Sequence, residues 1–308
     1  MAQVTTIKKV KYSDQKEWLE LRKQGIGGSD AAAVCGLNPY KSPLQVYFEK
    51  LGELNPPQEN RFIEWGKILE PVVAEYFSKQ TGLKVARVNQ ILVNPKRPFM
   101  LANVDRRIVG RREGLEIKTT SAWNTGRINE GIPDEYALQC HHYMAVTGWE
   151  RWHLAVLIGG NDFRHFVIER DEEIIEYLIS IEKRFWEDHV LKRVPPEPDH
   201  RDSELISKMF PQSNGETIEL NNPDAESLVE SLLTVLEKEK KLKKEKEELQ
   251  NKLKALLGEA EKAKVGSHIV SWKTVKSSRF NSKSFQKDHP KLFAKYSYTT
   301  EYRRFSLK

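Results

Sequence analysis

The 308-residue chain is poor in cysteine, in long apolar runs and in nucleotide-binding signatures. Its two cysteines, Cys35 and Cys140, are too few for a disulfide framework, and neither belongs to a CxxC pair. They also exclude an all-cysteine iron–sulfur cluster within one chain, which needs four thiolates. No apolar run approaches the roughly 20 residues that cross a bilayer. The opening stretch MAQVTTIKKVKYSD has no signal-peptide core. The expectation is a soluble protein of a reducing cytoplasm, with no membrane partner. Gly25-Ile26-Gly27-Gly28 is not followed by Gly-Lys-Ser/Thr, so it is no Walker A loop, which speaks against a nucleotide triphosphatase. His141 and His142 are adjacent and face different ways on a helix, so they read as packing or surface residues rather than zinc ligands.

Charge, by contrast, is plentiful. Lys and Arg number 50 against 44 Asp and Glu, a net +6, which favours an anionic partner without naming one. A hydrophobic share of 39% can fill one real core, while 31% charged residues point to an extended, solvated segment elsewhere.

Helical patterns cover the first 80 residues. Ser13 reads as a cap for a helix carrying Trp18, Leu19 and Leu21, Ser29 as a cap for Asp30 to Cys35, and Ser42-Pro43 as the start of a third helix closed by Gly52. A longer helix from about Arg61 to Gln80 contains Pro71, which predicts a kink or break beside Glu70. Strands are predicted over Val85–Val93, Phe99–Val109 and Gly114–Thr119, then a helix over Asp134–Val146. Strands over Trp152–Ile158 and Phe163–Ile168 follow, joined by a Gly-Gly-Asn-Asp turn, and then an amphipathic helix over Ile174–Leu191. This order predicts an α/β architecture, a mixed sheet flanked by helices. Pro195-Pro196-Glu197-Pro198 marks a boundary, giving a first domain over residues 1–199 and an extension over 200–308. In the extension, Leu228, Val235, Leu242, Leu249 and Leu256 recur every seven residues. They predict a long helix over 223–258, as a coiled coil between subunits, a helical arm, or a helix packed on its own domain. A basic, aromatic tail closes the chain.

The chemistry centres on Asp105 and Glu116-Ile117-Lys118. A short turn between two antiparallel strands would bring Asp105 beside Glu116, and Glu116 and Lys118, two apart, share a strand face. Two carboxylates and a backbone carbonyl such as that of Ile117 suit a hard cation, Mg²⁺ with Mn²⁺ able to substitute, set against a phosphodiester. Lys118 can then orient a water or stabilise the phosphate. Taken alone the string is short and common, and a surface ion-pair ladder is the more economical reading. Three neighbours shift that balance. Glu70 could add a metal ligand. Gln139 and Tyr143, four apart, share one helical face. Arg22 with Gly27-Gly28-Ser29-Asp30 combines a cation, close backbone approach and a helix start that attracts anions.

Together these segments resemble the nuclease family that includes lambda exonuclease and the YqaJ-type viral recombinases. The resemblance is carried by WLELRKQGIGGSDAAAVCGLNPYKSPLQVYFEKLGE (18–53), WGKILEPVVAEYF (65–77), LANVDRRI (101–108), LEIKTT (115–120) and LQCHHYMAVTG (138–148). It implies a restriction-endonuclease-like PD-(D/E)XK fold and Mg²⁺-dependent 5′→3′ digestion of one strand of linear duplex DNA, leaving 3′ overhangs for phage-type recombination. By that resemblance Glu70, Asp105, Glu116 and Lys118 take the catalytic positions and Gln139 supports them, with Tyr143 and Asp30 behind. Arg22, Ser29 and, less directly, Lys41 hold the 5′-terminal phosphate. Val104 stands where a proline usually precedes the first aspartate. Implied partners are duplex ends, a single-strand annealing protein of the RecT or Bet type, and further copies of the chain in a ring trimer. The implied setting is a phage or prophage protein in a bacterial cytoplasm. A restriction-type or structure-specific endonuclease, and a DNA-binding scaffold with an inactive nuclease fold, are the competing readings.

Overall fold

The computed structural model describes residues 7–54 and 60–307; residues 1–6 of the stretch read for a leader, and Lys308, lie outside them. Two compact units divide the chain at Met209/Phe210. The boundary falls ten residues beyond the one expected because the segment after the proline cluster is tied to the first unit. Buried Asp202 accepts a hydrogen bond from Ser42 at 2.5 Å, and Leu205 joins a core cluster with Leu44, Val46 and Phe185.

In chain order the first unit holds β1 (Lys8–Val10), α1 (Gln15–Lys23), β2 (Ile26–Gly27), α2 (Gly28–Val34), α3 (Pro43–Leu51), α4 (Arg61–Thr81), β3 (Val85–Arg87), β4 (Ile91–Asn94) and β5 (Arg97–Ala102). It continues with β6 (Arg106–Ile108), β7 (Glu113–Thr120), α5 (Thr125–Glu130), α6 (Asp134–Thr147), β8 (Arg151–Ile158), β9 (Asp162–Glu169), α7 (Glu172–Arg184) and α8 (Ser203–Met209). One sheet runs β1-β4-β5-β2 and the other β3-β6-β7-β8-β9. In the second, β7 and β8 are parallel and the other pairs antiparallel. The expected mixed sheet flanked by helices is therefore present, but as two sheets. The predicted strand Val85–Val93 is cut at residues 88–90, and Phe99–Val109 is cut at residues 103–105. In each case the two halves go to different sheets, so Asp105 lies in a connector rather than late in a strand.

The second sheet is sandwiched. Trp152, Leu154, Val156 and Ile158 of β8 pack with Cys140, Tyr143 and Met144 of α6 on one face. Ile108, Leu115, Ile117 and Ala155 pack with Val73, Ala74 and Phe77 of α4 on the other. This second packing explains why α4 runs unbroken through Pro71. An internal proline costs about 3 kcal/mol, and the fully buried Val73 and Phe77 just after it offset that, at roughly 1.5–3 kcal/mol each.

Caps differ from expectation in two places. Asp14 rather than Ser13 caps α1, accepting from the Glu17 N–H at 2.8 Å, while Ser13 binds the Glu17 carboxylate. Ser29 lies inside the first turn of α2, and Asp30 takes the capping role by accepting from the Gly27 N–H at 3.2 Å. Past α7 the helix widens into a π turn, Phe185–Val190, whose two terminal side chains both reach the same core cluster.

The second unit contains α9 (Pro223–Leu257), ended by Gly258, then a hairpin of β10 (Lys262–Val265) and β11 (His268–Ser271), then α10 (Ser282–Asp288) and α11 (Pro290–Tyr296). Asn222 caps α9 and Pro223 opens it, matching the predicted span closely. No helix among the described residues is long and apolar enough to cross a membrane.

Candidate active site

Strand alternation sets the site on β7. Leu115 and Ile117 point to α4, so Glu116 and Lys118 point to α6. There Lys118 Nζ donates to Glu116 Oε1 at 2.6 Å and to Gln139 Oε1 at 2.8 Å. Gln139 Nε2 donates to Glu116 Oε1 at 2.7 Å and to the Tyr143 hydroxyl at 2.8 Å. The hydroxyl donates in turn to the Asn103 carbonyl, also at 2.8 Å. Gln139 and Tyr143 thus share one face of α6 as expected. They tie β7 to the connector that carries Asp105.

Asp105 Oδ2 accepts from the Ile117 N–H at 2.9 Å. Burial, and then the Glu116 charge, push the Asp105 carboxyl well above the ordinary carboxylate range. Burial alone would lower the Lys118 ammonium, but Glu116 and Asp105 outweigh it and raise its pKa. Lys118 is therefore a fixed cation here and an unsuitable general base.

Glu116 is 3% exposed, and its Oε2 is buried with no hydrogen-bond partner. Leaving a buried charged acceptor unpaired costs at least about 1–3 kcal/mol. A cation beside Glu116 Oε2 and Asp105 would remove that cost, so the residues present fit a hard divalent metal. Among the described residues no three His, Cys, Asp or Glu side chains form a ready metal cage. Glu70 comes from α4 on the opposite face and is engaged by Arg106 at 2.5 Å. Its charge still reaches Asp105, as the weakest of the influences raising that carboxyl.

The upstream residues form a second cluster. Arg22 donates to Ser29 Oγ at 3.0 Å. Asp30, fully buried, receives Lys41 at 2.9 Å and Lys50 at 2.6 Å, with Arg22 at 3.8 Å. Burial opposes its ionisation, but Lys41, Lys50 and Arg22 together hold its carboxyl well below the usual range. Lys41 also pairs with Glu49 at 2.5 Å. Lys50 further donates to the Arg22 carbonyl at 3.0 Å, fixing the backbone beneath that guanidinium. The sequence reading missed Lys50 and Arg106. Nothing local marks a lysine at the end of an amphipathic helix as buried, and Arg106 offered only its place beside Asp105.

The two clusters are coupled through Gly28. A Cβ there would lie 2.4 Å from a Tyr143 ring carbon, so glycine lets α2 seat directly on the tyrosine that holds Gln139. Ser29 is the next residue. Parallel pairing of β2 with β5, Gly27 opposite Leu101, anchors the same loop to the strand that leads into Asp105.

Known proteins resemble this chain in sequence and fold. The YqaJ-like viral recombinase domain matches residues 17–150. The YqaJ protein of Bacillus subtilis (strain 168) is 37% identical over 299 residues, covering 95% of this chain and 93% of its own. The chain belongs to the YqaJ-like viral recombinase family. The match to this YqaJ relative reaches past the first unit into α9 and the tail. Protein R354 of Acanthamoeba polyphaga mimivirus is 28% identical over 159 residues, 46% of this chain and 28% of its own. Among solved structures, the alkaline exonuclease LHK-Exo of Laribacter hongkongensis superposes with a TM-score of 0.50 at 20% identity, over 63% of this chain and 97% of its own. Its complex with dAMP gives 0.51 at 21% identity, with the same coverage. At that identity the likeness shows that this YqaJ-like chain shares the exonuclease's fold.

Proposed function

We propose that this chain is a Mg²⁺-dependent 5′→3′ exonuclease that digests one strand of linear duplex DNA, leaving 3′ single-stranded overhangs. The observation that carries the reading is the buried, unpartnered Glu116 oxygen beside Asp105, facing a fixed Lys118 cation. The exonuclease fold of LHK-Exo and membership of a viral recombinase family support it. In this reading the site is of the PD-(D/E)XK type. Asp105, Glu116 and the Ile117 carbonyl would hold Mg²⁺ or Mn²⁺, with Glu70 as an outer carboxylate. The bound ion supplies charge neutralisation at the phosphate and a more acidic water. Lys118 places a fixed positive charge where negative charge develops on the phosphate. Gln139 keeps Glu116 and Lys118 in register, and Tyr143 keeps Gln139. Arg22 and Ser29, with Lys41 beside them and Asp30 organising the cations, receive the 5′-terminal phosphate. The overhangs are the substrate of a single-strand annealing protein of the RecT or Bet type in the host cytoplasm. A ring of three copies around the duplex would give processivity by topology.

The test is linear duplex labelled at one 5′ end, beside a closed circle, with Mg²⁺ or with EDTA. The expected result is loss of the 5′ label first, an intact circle, no digestion in EDTA, and faster digestion of 5′-phosphorylated ends. Cutting of the circle would point to an endonuclease, and digestion from 3′ ends or in EDTA would overturn the proposal.

A further inference from the structure

The long helix α9 presents an uncovered apolar seam. Leu228, Val235, Leu242, Leu249 and Leu256 are 71%, 57%, 64%, 54% and 85% exposed, at seven-residue spacing along 35 residues. At 1.5 Å per residue the helix is about 52 Å long. Large apolar side chains left in water forgo the stabilisation of burial, so a stripe of five calls for a cover. The companion seam is Ala225, Leu232, Glu239, Lys246 and Leu253, which is apolar at both ends and charged in the middle.

That charged middle selects the cover. In a parallel, in-register pair or trimer, each seam faces its own copy, so Glu239 would meet Glu239 and Lys246 would meet Lys246 inside the contact. Like charges in that position are a strong veto. In an antiparallel pair each seam faces the other seam of the second copy. Full overlap then puts Leu232 on Leu249, Leu253 on Leu228 and Ala225 on Leu256. Glu239 falls on Leu242, and Lys246 on Val235. Lys246 then stands one helical turn from Glu239 of the second copy, and flanking Lys238 stands across from Glu245. Two-fold symmetry repeats both pairs. Glu239 also comes within one turn of its own symmetry mate across the two-fold, but Lys246 of that second copy stands on its other side. In the parallel pair each charge directly faces its like with no such offset.

We infer that α9 is a self-association surface whose occupant is α9 of a second copy of this chain, antiparallel, in the register that seats Leu232 on Leu249. The inference stands independently of the nuclease reading.

The experiment uses the full chain with Cys35→Ser, carrying either Leu232→Cys or Leu249→Cys, under mild oxidation. Neither protein alone should form a disulfide-linked dimer, and an equimolar mixture should. In that mixture Glu239→Lys on both chains should lower the cross-link yield about tenfold, because it sets like charges together. Adding Lys246→Glu should restore it, with far-UV circular dichroism confirming unchanged helix content. Self-linking of Leu232→Cys alone would show a parallel arrangement and overturn the inference. So would a mixture that does not link, as expected if α9 is covered by its own chain or another partner, or a charge swap that fails to restore the yield.

Discussion

Replacing Gly28 with alanine probes the joint between the two halves of the site. The added carbon would lie 2.4, 2.7 and 3.0 Å from three carbons of the Tyr143 ring. Carbon atoms pack comfortably at about 3.5–4.0 Å, so the ring or the helix must move by about 1 Å. The ring is not free to do so. Its hydroxyl is held by Gln139 and Asn103, and Trp152 lies against it with ring centroids 5.1 Å apart. Overpacking of this kind costs about 1–3 kcal/mol. Helix propensity returns up to about 1 kcal/mol for a Gly-to-Ala change in a helix interior, and less at a first position. The net expectation is a loss of about 1–2 kcal/mol, or a Tm lower by roughly 2–8 °C. A displaced Tyr143 also releases Gln139 from Glu116 and Lys118, and misplacement near 1 Å can cost about 10²-fold in rate. Scanning calorimetry and initial digestion rates measure the two effects. Gly126→Ala in α5, where an added Cβ meets nothing within 4 Å, serves as the control and should be neutral or slightly stabilising. If Gly28→Ala matches the wild type in both Tm and rate, the coupling of α2 to the site through Tyr143 is wrong.

Lys118→Ala should lower single-turnover digestion by about 10²–10³-fold while leaving binding of duplex ends in filter assays nearly unchanged; unaltered turnover would remove Lys118 from the chemistry. Arg22→Ala deletes a charge-assisted contact worth about 1.5–3 kcal/mol, so digestion of 5′-phosphorylated ends should slow by at least about tenfold while 5′-hydroxyl ends do not change. Asp30→Asn leaves buried Lys50 without its counter-ion, while Lys41 keeps Glu49, costing about 3–5 kcal/mol at pH 7 in urea unfolding. Because the Asp30 pKa is depressed by folding, that stability is present above the unfolded value near 3.9. The gap from wild type should therefore close as the pH falls below it.

The sequence disclosed what repeats or punctuates. Gly148 and Gly258 ended α6 and α9 where expected, and Gly159-Gly160 made the β8–β9 turn. The period of two on β7 put Glu116 and Lys118 on one face. It did not disclose the partition into two sheets. Neither cut carries a glycine or proline at the point where the chain changes sheets, and Asn89, Asn103 and Asp105 are a weaker break signal set among strong strand formers. The Gly266-Ser267 turn of the C-terminal hairpin was a readable signal that the basic character of the tail obscured. Lys50 and Arg106 were hidden for a different reason. Burial of a cation is decided by a carboxylate far away in sequence, Asp30 for one and Glu70 for the other.

The cut at residues 103–105 is also what makes the site. β6 pairs with β7 only at Leu115 and Gly114, whereas β8 pairs with β7 along its whole length to Thr120. Among the described residues, β7 beyond Leu115 thus has one open edge. Asp105 sits on that edge and takes the Ile117 N–H that another strand would have taken. The aspartate therefore has two tasks that substitution can separate. An asparagine in its place would still accept from the N–H but carry no charge; alanine would do neither, and should cost about 1–3 kcal/mol for the N–H left unpaired. Folding raises the Asp105 pKa through burial and Glu116, so its charge works against the fold above that raised value. Asp105→Asn should accordingly be inactive yet more stable than wild type at pH 7 in EDTA. The advantage should shrink as the pH falls toward the ordinary carboxylate range, where both proteins are neutral at this position. Mg²⁺ should raise the Tm of the wild type and not of Asp105→Asn. If Asp105→Asn is less stable than wild type at pH 7 in EDTA, the carboxylate is serving the fold, and the open edge of β7 is not a place held for a cation.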